Sequence, residues 1–152
     1  MEQLVRTCVL SKINLRLGYH QIWVKFENIS KIAFRVHYEH YEYLVMPFVV
    51  TNAPGVFLDY INRIFHSYLN RFVVVFIDDI LVYSKTREEH TKHLRIVLQT
   101  LKDKQLHVKL FKCEFWMISV SFLGHVISEG RILIDPSKVE VVLEWKTPKS
   151  IF

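Results

Sequence analysis

Residues 72–83 constrain this chain more than any other stretch: they read Phe-Val-Val-Val-Phe-Ile-Asp-Asp-Ile-Leu-Val-Tyr, two apolar runs with adjacent aspartates between them. Short β-branched and aromatic runs around a tight polar turn predict two paired strands. Two carboxylates between such strands are unfavourable, because a charge in a dry setting costs several kcal/mol unless something compensates it. A divalent cation is one compensation, and hard carboxylate oxygens suit Mg²⁺, which takes one or two protein carboxylates and leaves other positions to water and phosphate. The other reading is a solvent-exposed hairpin tip, where Asp is a common turn residue. These residues alone leave both readings open.

The rest of the chain reads as alternating strands and helices. Residues 21–27 alternate partly between apolar and polar positions and predict a strand, and residues 32–46, rich in aromatics around His37-Tyr38-Glu39-His40, predict a hairpin. Between residues 51 and 71, Phe57, Ile61, Ile64, Phe65, Tyr68 and Leu69 recur at helical spacing, with Pro54 tolerated in the first turn. Thr86 and Glu89 form a capping-box pattern ahead of Leu94, Val97, Leu98 and Leu101, so a second helix runs to about Gln105. A strand over residues 120–127, a Ser-Glu-Gly turn, a strand over residues 132–134 and a helix opened by Asp135-Pro136 follow. No repeat or Gly/Ser linker divides the chain. The expectation is one α+β domain, an antiparallel sheet with helices on one face.

The 152 residues suffice for one domain with a substantial core. Lys and Arg number 20 against 15 Asp and Glu, a formal charge of +5, which favours a polyanionic partner only modestly because the cations are scattered. Cys8 and Cys113 lack any Cys-x-x-Cys spacing, which argues against a zinc ribbon or disulfide framework and fits a reducing compartment. The longest apolar run stops at the aspartates, far short of the roughly 20 residues that cross a bilayer, and the first residues lack the order of a signal peptide. An intracellular protein off the membrane is expected, neither secreted nor assigned to cytoplasm, nucleus or particle. His90 and His93, one turn apart and without a zinc-type cluster, read as a solvated helix face.

Two-metal phosphoryl transfer needs carboxylates on different elements, holding ions roughly 3.5–4 Å apart. In this light the segment Ser11-Lys12-Ile13-Asn14-Leu15-Arg16-Leu17-Gly18-Tyr19-His20-Gln21-Ile22 is informative, because it resembles the first palm motif of gypsy-type retrotransposon reverse transcriptases, which carries Asp where Asn14 stands. Further motifs follow in the family's order: Met46-Pro47-Phe48-Val49-Val50-Thr51-Asn52-Ala53-Pro54, the aspartate-pair hairpin, Lys112-Cys113-Glu114-Phe115, and Phe122-Leu123-Gly124-His125-Val126. The resemblance runs from about Leu10 to Pro148, and ordered motifs are far more specific together than singly.

The resemblance implies a polymerase palm with a partial fingers hairpin and the start of a thumb, residues 1–152 forming a fragment of a truncated, degenerate polyprotein without ribonuclease H, protease or integrase regions. It implies RNA-directed DNA synthesis: nucleotidyl transfer to a primer 3′-hydroxyl on an RNA or DNA template, from deoxynucleoside triphosphates, with Mg²⁺ or in its stead Mn²⁺. Protein partners stay open. By the same resemblance Asp78 and Asp79 are the catalytic, metal-binding carboxylates and Asn14 marks the missing one. Tyr19 matches the steric gate against a ribose 2′-hydroxyl, Phe48, Val49 and residues 51–54 shape the nucleotide pocket, and Lys112, or Lys109, stands near the departing phosphate. Phe122, Leu123, Gly124 and His125 match the primer grip. Without the resemblance, Tyr19 reads as a core residue, residues 51–54 as a helix start, the lysines as solvated and residues 122–125 as a plain strand and turn.

Three departures bear on activity. Asn14 keeps the size of Asp and one acceptor oxygen but lacks the charge that neutralises a cation. Val49 and Glu39 replace glycines of the family pattern, which predicts a clash in the pocket at the first and strain at the second if its turn needs positive φ. The expected result is an impaired copy; the alternative is a non-catalytic remnant that binds nucleic acid weakly.

Overall fold

In chain order the elements are β1 (Val9–Asn14), a 3₁₀ turn (Gly18–Gln21), α1 (Phe26–Ile29), a 3₁₀ turn (Ser30–Ile32), β2 (Phe34–Arg35), β3 (His40–Tyr41), α2 (Ala53–Phe65), β4 (Val73–Phe76), β5 (Asp79–Ser84), α3 (Arg87–Asp103), a 3₁₀ turn (Leu110–Lys112), β6 (Glu114–Met117), β7 (Ser119–Phe122), β8 (His125–Ser128), β9 (Arg131–Ile134) and α4 (Pro136–Leu143). This computed structural model describes Leu4, residues 7–16 and residues 18–145. Leu17 of the first motif and Pro148, at the far end of the resembling stretch, lie outside the described residues.

The apolar runs around the aspartates pair as β4 and β5, in a four-stranded antiparallel sheet ordered β4-β5-β1-β6. Strand alternation dictates its two faces. Ile13 and Leu15, Ile80 and Val82, and Val73 point to one side, where they share a core with Phe57, Ile61 and Phe65 of α2 and Leu94, Val97 and Leu101 of α3. Leu10, Leu81 and Tyr83 point to the other side, where the antiparallel sheet β7-β8-β9 covers them with Val120, Phe122 and Ile127. The α+β architecture is therefore as expected, helices on one face, with a second small sheet over part of the other.

Local chemistry sets the helix ends. Thr86 Oγ1 accepts the Glu89 N–H at 3.2 Å at the start of α3. Gln105, at φ +55°, closes it with the Leu106 N–H on the Leu101 carbonyl. Asp135 accepts the Ser137 hydroxyl and N–H ahead of α4, and these bonds, the hydroxyl first, hold its carboxyl below the usual carboxylate range.

Four expectations need correction. Residues 21–27 do not form a strand: Gln21 ends a 3₁₀ turn, Trp23 makes one isolated bridge to Val45, and Phe26 opens α1. The alternation there was partial, and Trp23 and Phe26 remain exposed, so no core rewards extension. The single strand over residues 120–127 is instead a hairpin, broken by Leu123 and Gly124 at φ +52° and +72°, the conformation that a two-residue primed turn demands. Helix α2 stops at Phe65 rather than near residue 71, and Asn70 at φ +59° turns the chain into β4. The hairpin β2-β3 forms as expected, but over two residues per strand, and Glu39 does not take positive φ in its loop.

The fourth correction concerns the histidines. His90 is fully buried, not solvated, and ties α3 to two strands through side chains: Ser11 Oγ of β1 at 2.7 Å and Ser84 Oγ of β5 at 2.9 Å, with Ser84 Oγ also 2.8 Å from His93 Nδ1. Ser11 Oγ already accepts the Trp116 N–H at 3.1 Å. Each of these three contacts then has one donor and one acceptor if Ser11 donates to His90 Nε2, His90 Nδ1–H to Ser84, and Ser84 to His93 Nδ1. His93 stacks on Phe72, centroids 3.9 Å apart. Burial, then the neighbouring His93, pushes His90 from 6.5 down to about 4, and burial likewise lowers His93.

This arrangement makes the fold acid-sensitive. An unfolded chain protonates His90 near pH 6.5 whereas the folded one keeps it neutral to about 4. Its contribution is complete above 6.5 and declines as pH falls from 6.5 to 4, by about 3 kcal/mol over the whole window. Denaturant melts at pH 7, 6, 5 and 4 should show this decline, and His90→Gln should flatten it; an unchanged slope in that variant would assign the acid response elsewhere.

Candidate active site

Strand pairing builds the acidic site. Phe76 pairs with Asp79, leaving Ile77 and Asp78 as a two-residue turn. Ile77 takes φ +49°, a conformation unfavourable for a β-branched side chain, and the turn is fastened to its neighbour strand by the Leu15 N–H, which donates to the Asp78 carbonyl at 2.7 Å. In the same register Asn14, the last residue of β1, lies directly across from Asp79. Asn14 and Asp79 fall on the alternation of Leu10 and Leu81, the sheet face that the helices leave free.

The Asn14 side chain meets both aspartates. Its Nδ2 donates to Asp79 Oδ1 at 2.9 Å and, more weakly, to Asp78 Oδ2 at 3.4 Å. Its Oδ1 is buried and meets no donor, and Asn14 as a whole is only 8% exposed. The backbone around it is held from the third side: its N–H donates to Cys113 Sγ at 3.4 Å, and its carbonyl accepts the Lys109 N–H at 2.8 Å.

Tyr19 joins this cluster. Burial raises its phenol above the ordinary value, and the Asp78 charge raises it further. Its ring sits edge-on to Phe48, centroids 5.4 Å apart, and against Phe57 at 5.3 Å. Phe57 in turn occupies space that only a glycine leaves: a Cβ at Gly18 would lie 2.7 Å from Phe57 Cζ. The sequence signal for this support was the Gly18-Tyr19 step, which composition does not weight.

The other candidates stand apart from the pair. Val49 is 84% exposed and has an ordinary negative φ, so its Cβ finds open space rather than a clash within this chain. Lys112 is exposed and Lys109 half-buried, and among the described residues neither forms an ion pair. Phe122 is buried in the second core, Leu123 and Gly124 form the turn, and His125 Nδ1 lies 2.9 Å from the Leu123 carbonyl. That hairpin docks on β1 by Lys12 Nζ, which donates to the Ser121 carbonyl at 3.1 Å. It shares no hydrogen bond with the aspartates.

The donor set fits one hard divalent ion. Asp78 and Asp79 are half-buried and adjacent, and Mg²⁺ commonly uses one or two protein carboxylates. Among the described residues no group of three His, Cys, Asp or Glu could hold a metal, so a pair of ions lacks its third carboxylate. Among the described residues, too, no helix is long and apolar enough to cross a membrane.

Comparison with known proteins places this geometry. The family profile described as Reverse transcriptase (RNA-dependent DNA polymerase) matches residues 1–127. The chain is 39% identical over 142 residues to the Transposon Tf2-3 polyprotein of Schizosaccharomyces pombe, covering 93% of this chain and 11% of that protein. It is 39% identical over 136 residues to the Retrovirus-related Pol polyprotein from transposon 297 of Drosophila melanogaster, covering 90% and 13%. The chain thus spans about a tenth of the length of these relatives. Among solved structures it superposes on the foamy viral protease-reverse transcriptase dRH in complex with double-stranded DNA with a TM-score of 0.86 at 22% identity, covering 97% of this chain and 26% of that one. The same viral protein in complex with an RNA/DNA hybrid gives a TM-score of 0.82 at 21% identity, covering 96% and 20%.

Proposed function

This chain belongs to the reverse transcriptase family, a retrotransposon polyprotein region with the α+β fold of its polymerase, and from that premise we propose that it is an RNA-directed DNA polymerase palm impaired at its own metal site. The observation that carries this reading is Asn14, placed across the ladder from Asp79 and bonded to both aspartates. Residues 1–152 act, on this reading, as one palm-centred unit.

Asp78 and Asp79 would hold Mg²⁺, or Mn²⁺ in its place, and the ion when bound supplies charge neutralisation at phosphate oxygens. The chain's own groups do the positioning. Tyr19, braced by Phe48 and Phe57, would stand against the sugar of a deoxynucleoside triphosphate, where a 2′-hydroxyl would collide. Phe48 and Val49 line the approach, Lys112 or Lys109 faces the departing phosphate, and the turn of Phe122, Leu123, Gly124 and His125 steadies the primer end. The template is RNA or DNA, in keeping with the nucleic-acid complexes of the similar viral structures.

A second reading follows from the same asparagine: a non-catalytic remnant that binds primer–template through its +5 surface alone. The two separate by metal dependence. The polymerase reading expects weak but Mg²⁺-stimulated primer extension by the wild-type chain, abolished by Asp78→Asn. Binding that weakens steeply with salt, without any Mg²⁺-stimulated incorporation, would establish the remnant instead.

A further inference from the structure

We infer that the Asn14 carboxamide is a built-in substitute for the cation, holding the acidic turn together so that this palm folds without a divalent ion. The inference rests on reading Asp78 and Asp79 as cation ligands. Two like charges on adjacent residues, half-buried at a strained turn, need a donor between them. In this chain the donor is Nδ2, which bonds both carboxylates.

The amide's other end argues that the carboxylates dictate its orientation. Oδ1 is buried without any donor, an unfavourable state for a carbonyl. Turning the amide over would not repair this, because it would set Oδ1 against two carboxylates and orphan the N–H groups instead. The main chain is pinned on both sides by Cys113 Sγ and the Lys109 N–H, so the backbone cannot carry the amide away from the aspartates and only a change of rotamer could withdraw it. An ion arriving at the aspartates must therefore compete with donors already in place, and part of its attraction to the site is lost.

Thermal melts in EDTA and in millimolar Mg²⁺, with no nucleic acid or nucleotide present, test this. The wild-type chain should melt at the same temperature in both. Asn14→Leu, which keeps the bulk and removes the donors, should melt lower in EDTA by about 5 °C or more and recover in Mg²⁺. Asn14→Asp, with three crowded carboxylates, should behave likewise. Asn14→Leu melting at the wild-type temperature in EDTA, or a wild-type chain stabilised by Mg²⁺ as strongly as Asn14→Asp, would overturn the inference. A flat Mg²⁺ response of Asn14→Asp would overturn the ligand reading instead, while the EDTA comparison still decides the role of the amide. Should Asn14→Leu fail to fold, the Asn14 side-chain amide resonances of the wild-type chain decide: they should stay in place through the same Mg²⁺ titration, and movement in step with it counts against the substitute.

Discussion

Primer extension by Asn14→Asp in Mg²⁺ should exceed that of the wild-type chain by roughly a thousandfold or more. Position 14 lies opposite Asp79 in the strand ladder, with its side-chain tip 2.9 Å from one aspartate and 3.4 Å from the other. A carboxylate there completes the set that a two-ion site requires, and replaces an amide that points N–H groups at the ligands. If the missing charge is worth several kcal/mol in the transition state, then at about 1.36 kcal/mol per factor of ten the rate rises by about three decades. The gain should need Mg²⁺ and should vanish when Asp78→Asn is added, which excludes an effect on folding alone. Equal extension by the wild-type chain and Asn14→Asp would show that the asparagine is not the lesion.

Phe57→Ala should be the most destabilising single substitution near the site, lowering stability by about 4 kcal/mol and the melting temperature by roughly 10 °C. Phe57 is fully buried in the helix-side core, and its ring is the floor beneath Tyr19 and the wall against Gly18. Truncation leaves a cavity that a two-element contact cannot close, because Gly18 has no side chain to fill it. Phe57→Leu should lose about half as much while still freeing Tyr19 from one of its two aromatic supports. A melt unchanged in Phe57→Ala would mean that α2 is not anchored as described.

Much of this molecule was legible along the chain. The capping pair Thr86 and Glu89, the stripe of Phe57, Ile61 and Phe65, and the apolar runs around Asp78 and Asp79 are local signals, and each produced the element it implies. What failed depended on distant partners. Strand β1 is central, yet Ser11 and Lys12 spoil its apolar alternation, because Ser11 is buried against His90 and Lys12 reaches Ser121. His90 looks like a surface residue until it is seen to open the stripe of Leu94, Val97 and Leu101. Residues 21–27 mislead in the opposite sense: partial alternation is present, but no strand continues the single bridge to Val45.

The aspartate pair, the order of its companion motifs and the asparagine at position 14 belong to the sequence, and family membership follows from them without coordinates. The chemical state of the pair does not. Only the antiparallel register brings Asn14, 64 residues away, within hydrogen-bond distance of Asp78, and only burial leaves Oδ1 without a donor and holds His90 in its neutral form. The physical reason is that hydrogen-bond satisfaction and desolvation are properties of a filled volume, set by residues from every part of the chain at once, whereas turn chemistry and helical periodicity are carried by neighbours.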